Sequence, residues 1–209
     1  MGLLESCILL KNIHKKENQM IKKENIKKVV DLIQELKKIQ DDYPIINDVV
    51  HYPLVDKTRD YNGQTLLHVL ADFGVEEILQ HPSVDKVKDN KGFTPLHCLA
   101  RQGIKAVLQH LSVDKVKDKI GFTPLLVLAV SGVKAVLQHP SVDQVKDNEG
   151  NTPLHILAQL GVQDVLKHPS VDIIKNKNGD TPFTIIQKIQ RTQCLGQKTF
   201  IVDFKKKKK

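Results

Sequence analysis

Five glycines stand 29 residues apart, Gly63, Gly92, Gly121, Gly150 and Gly179, and each sits in the same stretch of sequence. Residues 89–103 read D-N-K-G-F-T-P-L-H-C-L-A-R-Q-G, and residues 147–161 read D-N-E-G-N-T-P-L-H-I-L-A-Q-L-G. A fixed period in this range means one supersecondary unit stacked on copies of itself. The natural product of such a stack is an extended surface, which sets aside most enzyme folds.

Each copy carries its own structural signals. Asp-x-x-Gly predicts a sharp turn, because glycine tolerates positive φ. Thr then precedes Pro at Thr94-Pro95, Thr123-Pro124, Thr152-Pro153 and Thr181-Pro182, the pairing favoured at a helix N-cap and first helical position. A short helix follows with Leu96, Leu99 and Ala100 on one side, and it stops at Gly103, where a left-handed C-cap is wanted. The spacing predicts a second short helix over Ile104–His110, with Val107 and Leu108 facing inward. Pro82, Pro140 and Pro169 end it in other copies. Val-Asp-Lys-Val-Lys then alternates and reads as a small extended segment. Helices this short are marginal alone in water, so their stability must come from burial against the next copy.

The residues D-x-x-G-x-T-P-L-H-x-x-A-x-x-G resemble the ankyrin repeat over about residues 60–191. The resemblance implies an all-α helix-turn-helix solenoid with short turn or hairpin fingers. It also implies T-P-L-H histidines that hydrogen-bond turn to helix, and a concave face that binds other proteins. The repeats depart from the family in length, 29 residues against about 33. The shortage falls in the second helix and the start of the loop after it, about one turn. Full copies are read at 60–88, 89–117, 118–146 and 147–175. Leu66 replaces Pro in the first and Leu126 replaces His in the third. In residues 176–191 the small Ala becomes Gln187 and the helix-ending Gly becomes Gln190, so this copy is expected to be a C-terminal cap. Ile26, Val29, Val30, Ile33 and Leu36 recur at helical spacing. They predict a helix over 22–41 within an N-terminal helical cap at 22–59. Residues 1–21 are expected to be partly disordered.

Charge adds little about partners. Of the net +8, residues 192–209 carry six Lys against one Asp, while 60–191 carry 15 Lys+Arg against 14 Asp+Glu. A basic body would suggest nucleic acid; a basic tail suggests a solvated end with weak affinity for polyanions. The 29 Lys against 3 Arg read as codon bias rather than phosphate recognition, which favours arginine's fork. The odd, scattered Cys7, Cys98 and Cys194 suggest free thiols in a reducing, cytoplasmic setting. Secretion into a host cell stays open. Met1-Gly2 with Ser6 fits a short myristoylation pattern. No run approaches the roughly 18 apolar residues of a membrane span, and no membrane partner is expected.

Catalytic and metal readings find no support in the spacing. His68, His97 and His155 form one ladder, and His81, His110, His139 and His168 another. Equivalent positions on stacked helices lie roughly 8–10 Å apart, too far to share a zinc that needs nitrogens at about 2 Å. Neighbours such as His97 and Cys98 do not face each other on a helix. Phosphate-loop, dinucleotide and calcium-loop patterns are missing. No enzyme activity, cofactor or metal is expected.

What remains is the surface. By the resemblance, the residues flanking each Gly turn and ending each first helix line the binding face. They are Tyr61, Gln64 and Phe73, then Lys91, Phe93, Arg101 and Gln102. Lys119, Ile120, Phe122 and Ser131 follow, then Asn151 and Leu160. Four of the chain's nine Phe and Tyr, namely Tyr61, Phe73, Phe93 and Phe122, stand at these variable positions. Aromatic side chains that packing does not require are typical interface anchors. The expected function is non-catalytic binding of a protein partner by a monomer. The alternative is a tether to nucleic acid or anionic membrane through Lys205–Lys209.

Overall fold

The computed structural model describes residues 50, 55–57 and 59–192. The 1–21 segment, the 22–41 helix, and the tail after Thr192 lie outside the described residues. Contacts divide the chain into two units, one up to Ser112 and one from Val113.

The first unit holds helix α1 (Leu66–Asp72), a 3₁₀ turn at Glu76–Gln80, helix α2 (Pro95–Arg101) and a 3₁₀ turn at Lys105–Gln109. The second holds helix α3 (Pro124–Val130), a 3₁₀ turn at Lys134–Gln138, helix α4 (Pro153–Gln159) and a 3₁₀ turn at Gln163–Lys167. Its described part closes with a helix over 182–192. Helix α1 packs on α2, and α3 on α4. Among the described residues there is no strand, only an isolated bridge between Arg59 and Thr65. The described chain is therefore an all-helical arrangement of sequential helix pairs.

The seven-residue helices begin where the Thr residues direct. Thr65, Thr94, Thr123 and Thr152 hold extended backbone as N-caps, and Pro occupies the first turn of α2, α3 and α4. In α1 Leu66 fills that place without harm, since proline there only pre-sets φ. Each helix stops at a glycine of positive φ, such as Gly74 at 73° and Gly103 at 74°. The Gly103 N–H reaches the Ala100 carbonyl at 2.9 Å, and the Ile104 N–H reaches the Leu99 carbonyl at 3.2 Å. That pairing satisfies carbonyls the helix end would leave bare.

The second short helix forms where it is expected, as a five-residue 3₁₀ helix, Lys105–Gln109, flanked by extended Ile104 and His110. So few residues close tighter turns more readily than an α ladder. One side chain per turn is buried, namely Ile78, Val107, Val136 or Val165, while Leu108 is only half-buried. The segment after it is also less extended than its alternation suggests. Leu111–Lys115 form turns, and only Val116–Asp118 lie open. Its valines, Val84, Val113 and Val142, are buried.

Two side-chain ladders run through the repeats. In α1 the His68 Nδ1 accepts from the Thr65 N–H at 3.1 Å and lies 2.9 Å from the Thr65 hydroxyl. With Nδ1 accepting, the proton sits on Nε2, which donates to the Phe93 carbonyl of the next repeat at 3.0 Å. His155 does the same between Thr152 and the Asp180 carbonyl. The second ladder joins Ser83 to Asp56 and Ser112 to Asp85 in the first unit. In the second it joins Ser141 to Asp114 and Ser170 to Asp143. Each of these serines also donates its N–H to the histidine two residues before it.

The last copy closes on itself. Thr184 stands where His155 stands one period earlier. Its hydroxyl accepts from the Thr181 N–H and donates to the Thr181 carbonyl, both at 2.9 Å. Among the described residues, nothing outside its own turn is bonded to that side chain as a neighbouring carbonyl is to the imidazole. The helix runs on through Gln190, which replaces the stopping glycine.

Burial lowers the pKa of His68 and His155 below 6.5, against the pull of the carbonyls they donate to. The folded chain thus favours neutral imidazole, and below pH 6.5 the unfolded chain takes up protons that the folded one refuses. Their stability contribution is complete above 6.5 and is lost as pH falls towards the folded values. The urea midpoint should therefore drop between about pH 7 and pH 5. The double variant H68L/H155L, each residue made like Leu126, should show a flatter profile.

Candidate protein-binding surface

The turn before each helix forms a rigid finger. The Asp60 N–H bonds the Gln64 carbonyl at 2.9 Å, and the Asp60 Oδ1 accepts from the Asn62 and Gln64 N–H groups at 2.8 Å. Asp89, Asp118, Asp147 and Asn176 repeat this arrangement. Side-chain carboxylates and amides that bond backbone two residues on are what makes Asp and Asn turn residues.

Fingers are also tied to one another within each unit. In the first, the Asn90 N–H donates to the Asn62 carbonyl at 2.9 Å and its amide to the Tyr61 carbonyl at 3.1 Å. Arg59 donates to the Gly63 and Lys88 carbonyls at 2.6 Å. In the second, the Lys177 N–H donates to the Glu149 carbonyl at 2.9 Å, and the Lys117 ammonium to the Lys146 carbonyl at 3.0 Å. At Gly63 a Cβ would lie 2.5 Å from the Asn90 Oδ1, so only glycine permits this approach.

The expected site residues fall into two groups. In the first unit Tyr61 is 63% and Phe73 39% exposed. Lys91, Arg101 and Gln102 are exposed, with Arg101 held 2.7 Å from Asp72. In the second unit Ile120 is 60% and Leu160 53% exposed, with Lys119 and Ser131 also at the surface. Gln64, Phe93, Phe122 and Asn151 are instead half-buried. The Phe93 ring lies against His97, centroids 5.4 Å apart. The Asn151 amide bonds Asp147 and Asn176. Phe93 and Asn151 thus serve packing and finger stacking.

Several exposed apolar residues escape the motif reading. Leu111 is 84% and Ile173 72% exposed. Leu111 replaces the proline of its neighbours, and Ile173 replaces Lys86, Lys115 or Gln144. An apolar residue where other copies are polar or Pro is the signal that finds them. Val130, 51% exposed, does not escape it: it ends α3 one repeat after Arg101, a helix-end position that the resemblance assigns to the binding face. Phe183 takes the place of the fully buried Leu154 yet is 38% exposed.

The second unit carries an open groove of about 750 Å³, lined in part by Lys134, His139, Asp164, Lys167 and His168. Asp164 lies 2.8 Å from Lys167 and 3.6 Å from Lys134. Lys167, then Lys134, hold its carboxyl below the usual range. Both cations are exposed, where such pairs add little stability.

Elsewhere the chemistry is quiet. Burial, helped by Asp72, pushes the Cys98 thiol pKa well up, so the sulfur stays protonated at neutral pH. Among the described residues no group of three His, Cys, Asp or Glu could hold a metal ion. No described helix is long and apolar enough to cross a membrane. One buried atom among them has no hydrogen-bond partner, the Asp118 Oδ2.

The two groups of site residues should separate on truncation. Phe93→Ala should cost about 1–3 kcal/mol, part of the value for a fully buried phenylalanine. Tyr61→Ala and Leu160→Ala should stay within about 0.5 kcal/mol of the parent. Equilibrium urea unfolding measures both. Scanned against protein-family models and curated proteins, the chain matches none.

Proposed function

We propose that this chain is an ankyrin-type repeat protein that binds another protein and catalyses no reaction. The observation that carries the reading is a division of labour at the finger tips and helix ends. The backbone of Tyr61 and of Ile120 is fixed by hydrogen bonds to a neighbouring finger. The side chains of these residues and of Leu160 point apolar surface to solvent. A rigid frame with exposed apolar groups loses little entropy when a partner closes over it. The near-neutral charge of 60–191 suits a partner held by apolar contact more than by long-range attraction.

Capture from a lysate, with salt varied, tests this. The variant carrying Tyr61→Asp, Ile120→Asp and Leu160→Asp should lose the captured protein and keep the parent's melting temperature. Capture should survive removal of Lys205–Lys209. If instead capture persists in the triple variant and vanishes with the five lysines or with salt, the tail is the binding element and the proposal fails.

A further inference from the structure

The chain contains two Asn-Gly pairs, Asn62-Gly63 in the first finger and Asn178-Gly179 in the last. Asn-Gly is chemically labile. Glycine has no Cβ to obstruct its own nitrogen, and that nitrogen can swing towards the asparagine amide carbon. Both asparagines are exposed, but the peptides that follow them are held differently.

At the first finger the Asn62 carbonyl accepts from the Asn90 N–H at 2.9 Å. The Gly63 carbonyl accepts from Arg59 at 2.6 Å. Gly63 is buried, and any atom added to it meets Asn90 at 2.5 Å. Rotating the Asn62-Gly63 peptide therefore breaks bonds to the neighbouring finger and drives into Asn90. At the last finger the Gly179 nitrogen bonds the Asn176 carbonyl at 3.0 Å, as the Gly63 nitrogen bonds the Asp60 carbonyl. Among the described residues no N–H donates to the Asn178 carbonyl. Gly179 is exposed, and a Cβ there would meet no described atom within 4 Å.

We propose that Asn178 is a site of spontaneous deamidation, and that the same dipeptide at Asn62 is protected by Asn90. Local opening of one turn hydrogen bond frees the Gly179 nitrogen, which gives its proton to solvent base and attacks the Asn178 Cγ. The new N–C bond closes a five-membered succinimide as the side-chain amine leaves as ammonia. Water then adds to either ring carbonyl and opens the ring to Asp or isoAsp. One ammonia departs, one water enters, and nothing is oxidised or reduced. The product carries a carboxylate beside Lys177. In its isoAsp form it adds a methylene to the main chain of a four-residue turn. The modification marks the terminal finger and leaves the internal ones, where Lys91, Ile120 and Glu149 precede the glycine, unchanged.

The full chain is incubated at mildly alkaline pH and mapped by peptide mass spectrometry with fragmentation that separates Asp from isoAsp. Asn178 should convert at least about tenfold faster than Asn62 in the folded chain, because local opening governs access. The two should converge in denaturant, where no neighbour clamps either. The variant Asn90→Pro removes both the N–H bonded to the Asn62 carbonyl and the side chain packed on Gly63, at a turn position that favours proline. It should accelerate Asn62 and leave Asn178 unchanged, and Asn90→Ala, which keeps the N–H, should accelerate Asn62 less. Equal rates at the two sites in the folded chain would overturn the proposal, as would an intact Asn178. An Asn62 rate indifferent to Asn90→Pro would overturn the protective half.

Discussion

An imidazole with a different bond on each nitrogen underlies the architecture. His68 takes the N-cap N–H of its own helix on Nδ1 and reaches the Phe93 carbonyl with Nε2. One buried side chain therefore starts a helix and fixes where the next finger begins. Each seven-residue helix is too short to persist alone, so this cross-tie and the packing of Leu67, Leu70 and Ala71 are what hold α1. In the third copy Leu126 offers no ring nitrogen. The Thr123 hydroxyl still caps at 3.4 Å, and the leucine is fully buried in the histidine's place. Apolar burial offsets the lost hydrogen bonds.

The parts of the fold that depend on a few adjacent residues were legible in the sequence. Thr-Pro starts, glycine stops and the Asp-x-x-Gly turns all act within about five residues of chain, and each lies where it was expected. The segment Ile104–His110 was legible as a short helix with Val107 inward; its 3₁₀ form over Lys105–Gln109 and the half-exposure of Leu108 were not. The site was legible at the level of position and less so of exposure. Tyr61 and Leu160 face solvent, while Phe93 and Asn151 are drawn inward by partners on other turns. No pattern within one copy shows whether a neighbouring copy supplies such a partner. The role of Thr184 was missed for the same reason, since its meaning appears only beside His155.

The two ladders do different work. Histidines of the T-P-L-H positions order helix starts and fingers, while Ser-Asp pairs such as Ser83–Asp56 order the turns behind them. Between them sits a thin layer in which one β-branched side chain, such as Val107, anchors each 3₁₀ turn. The finger side is therefore the better-fixed edge of each repeat, and surface residues mounted there inherit its rigidity.

Thr184 changes what the last described copy offers. His68 and His155 each send an N–H from a helix start to the carbonyl of a following finger. Leu126 sends none, although another copy follows it in the same unit. Thr184 spends its hydroxyl on its own turn, between the Thr181 N–H and carbonyl. The cross-tie is therefore a bond that a copy can drop without ending the array: apolar burial takes its place at Leu126, and a local bond does so at Thr184. Drift at this position loosens one joint at a time and leaves the neighbouring joints as they were.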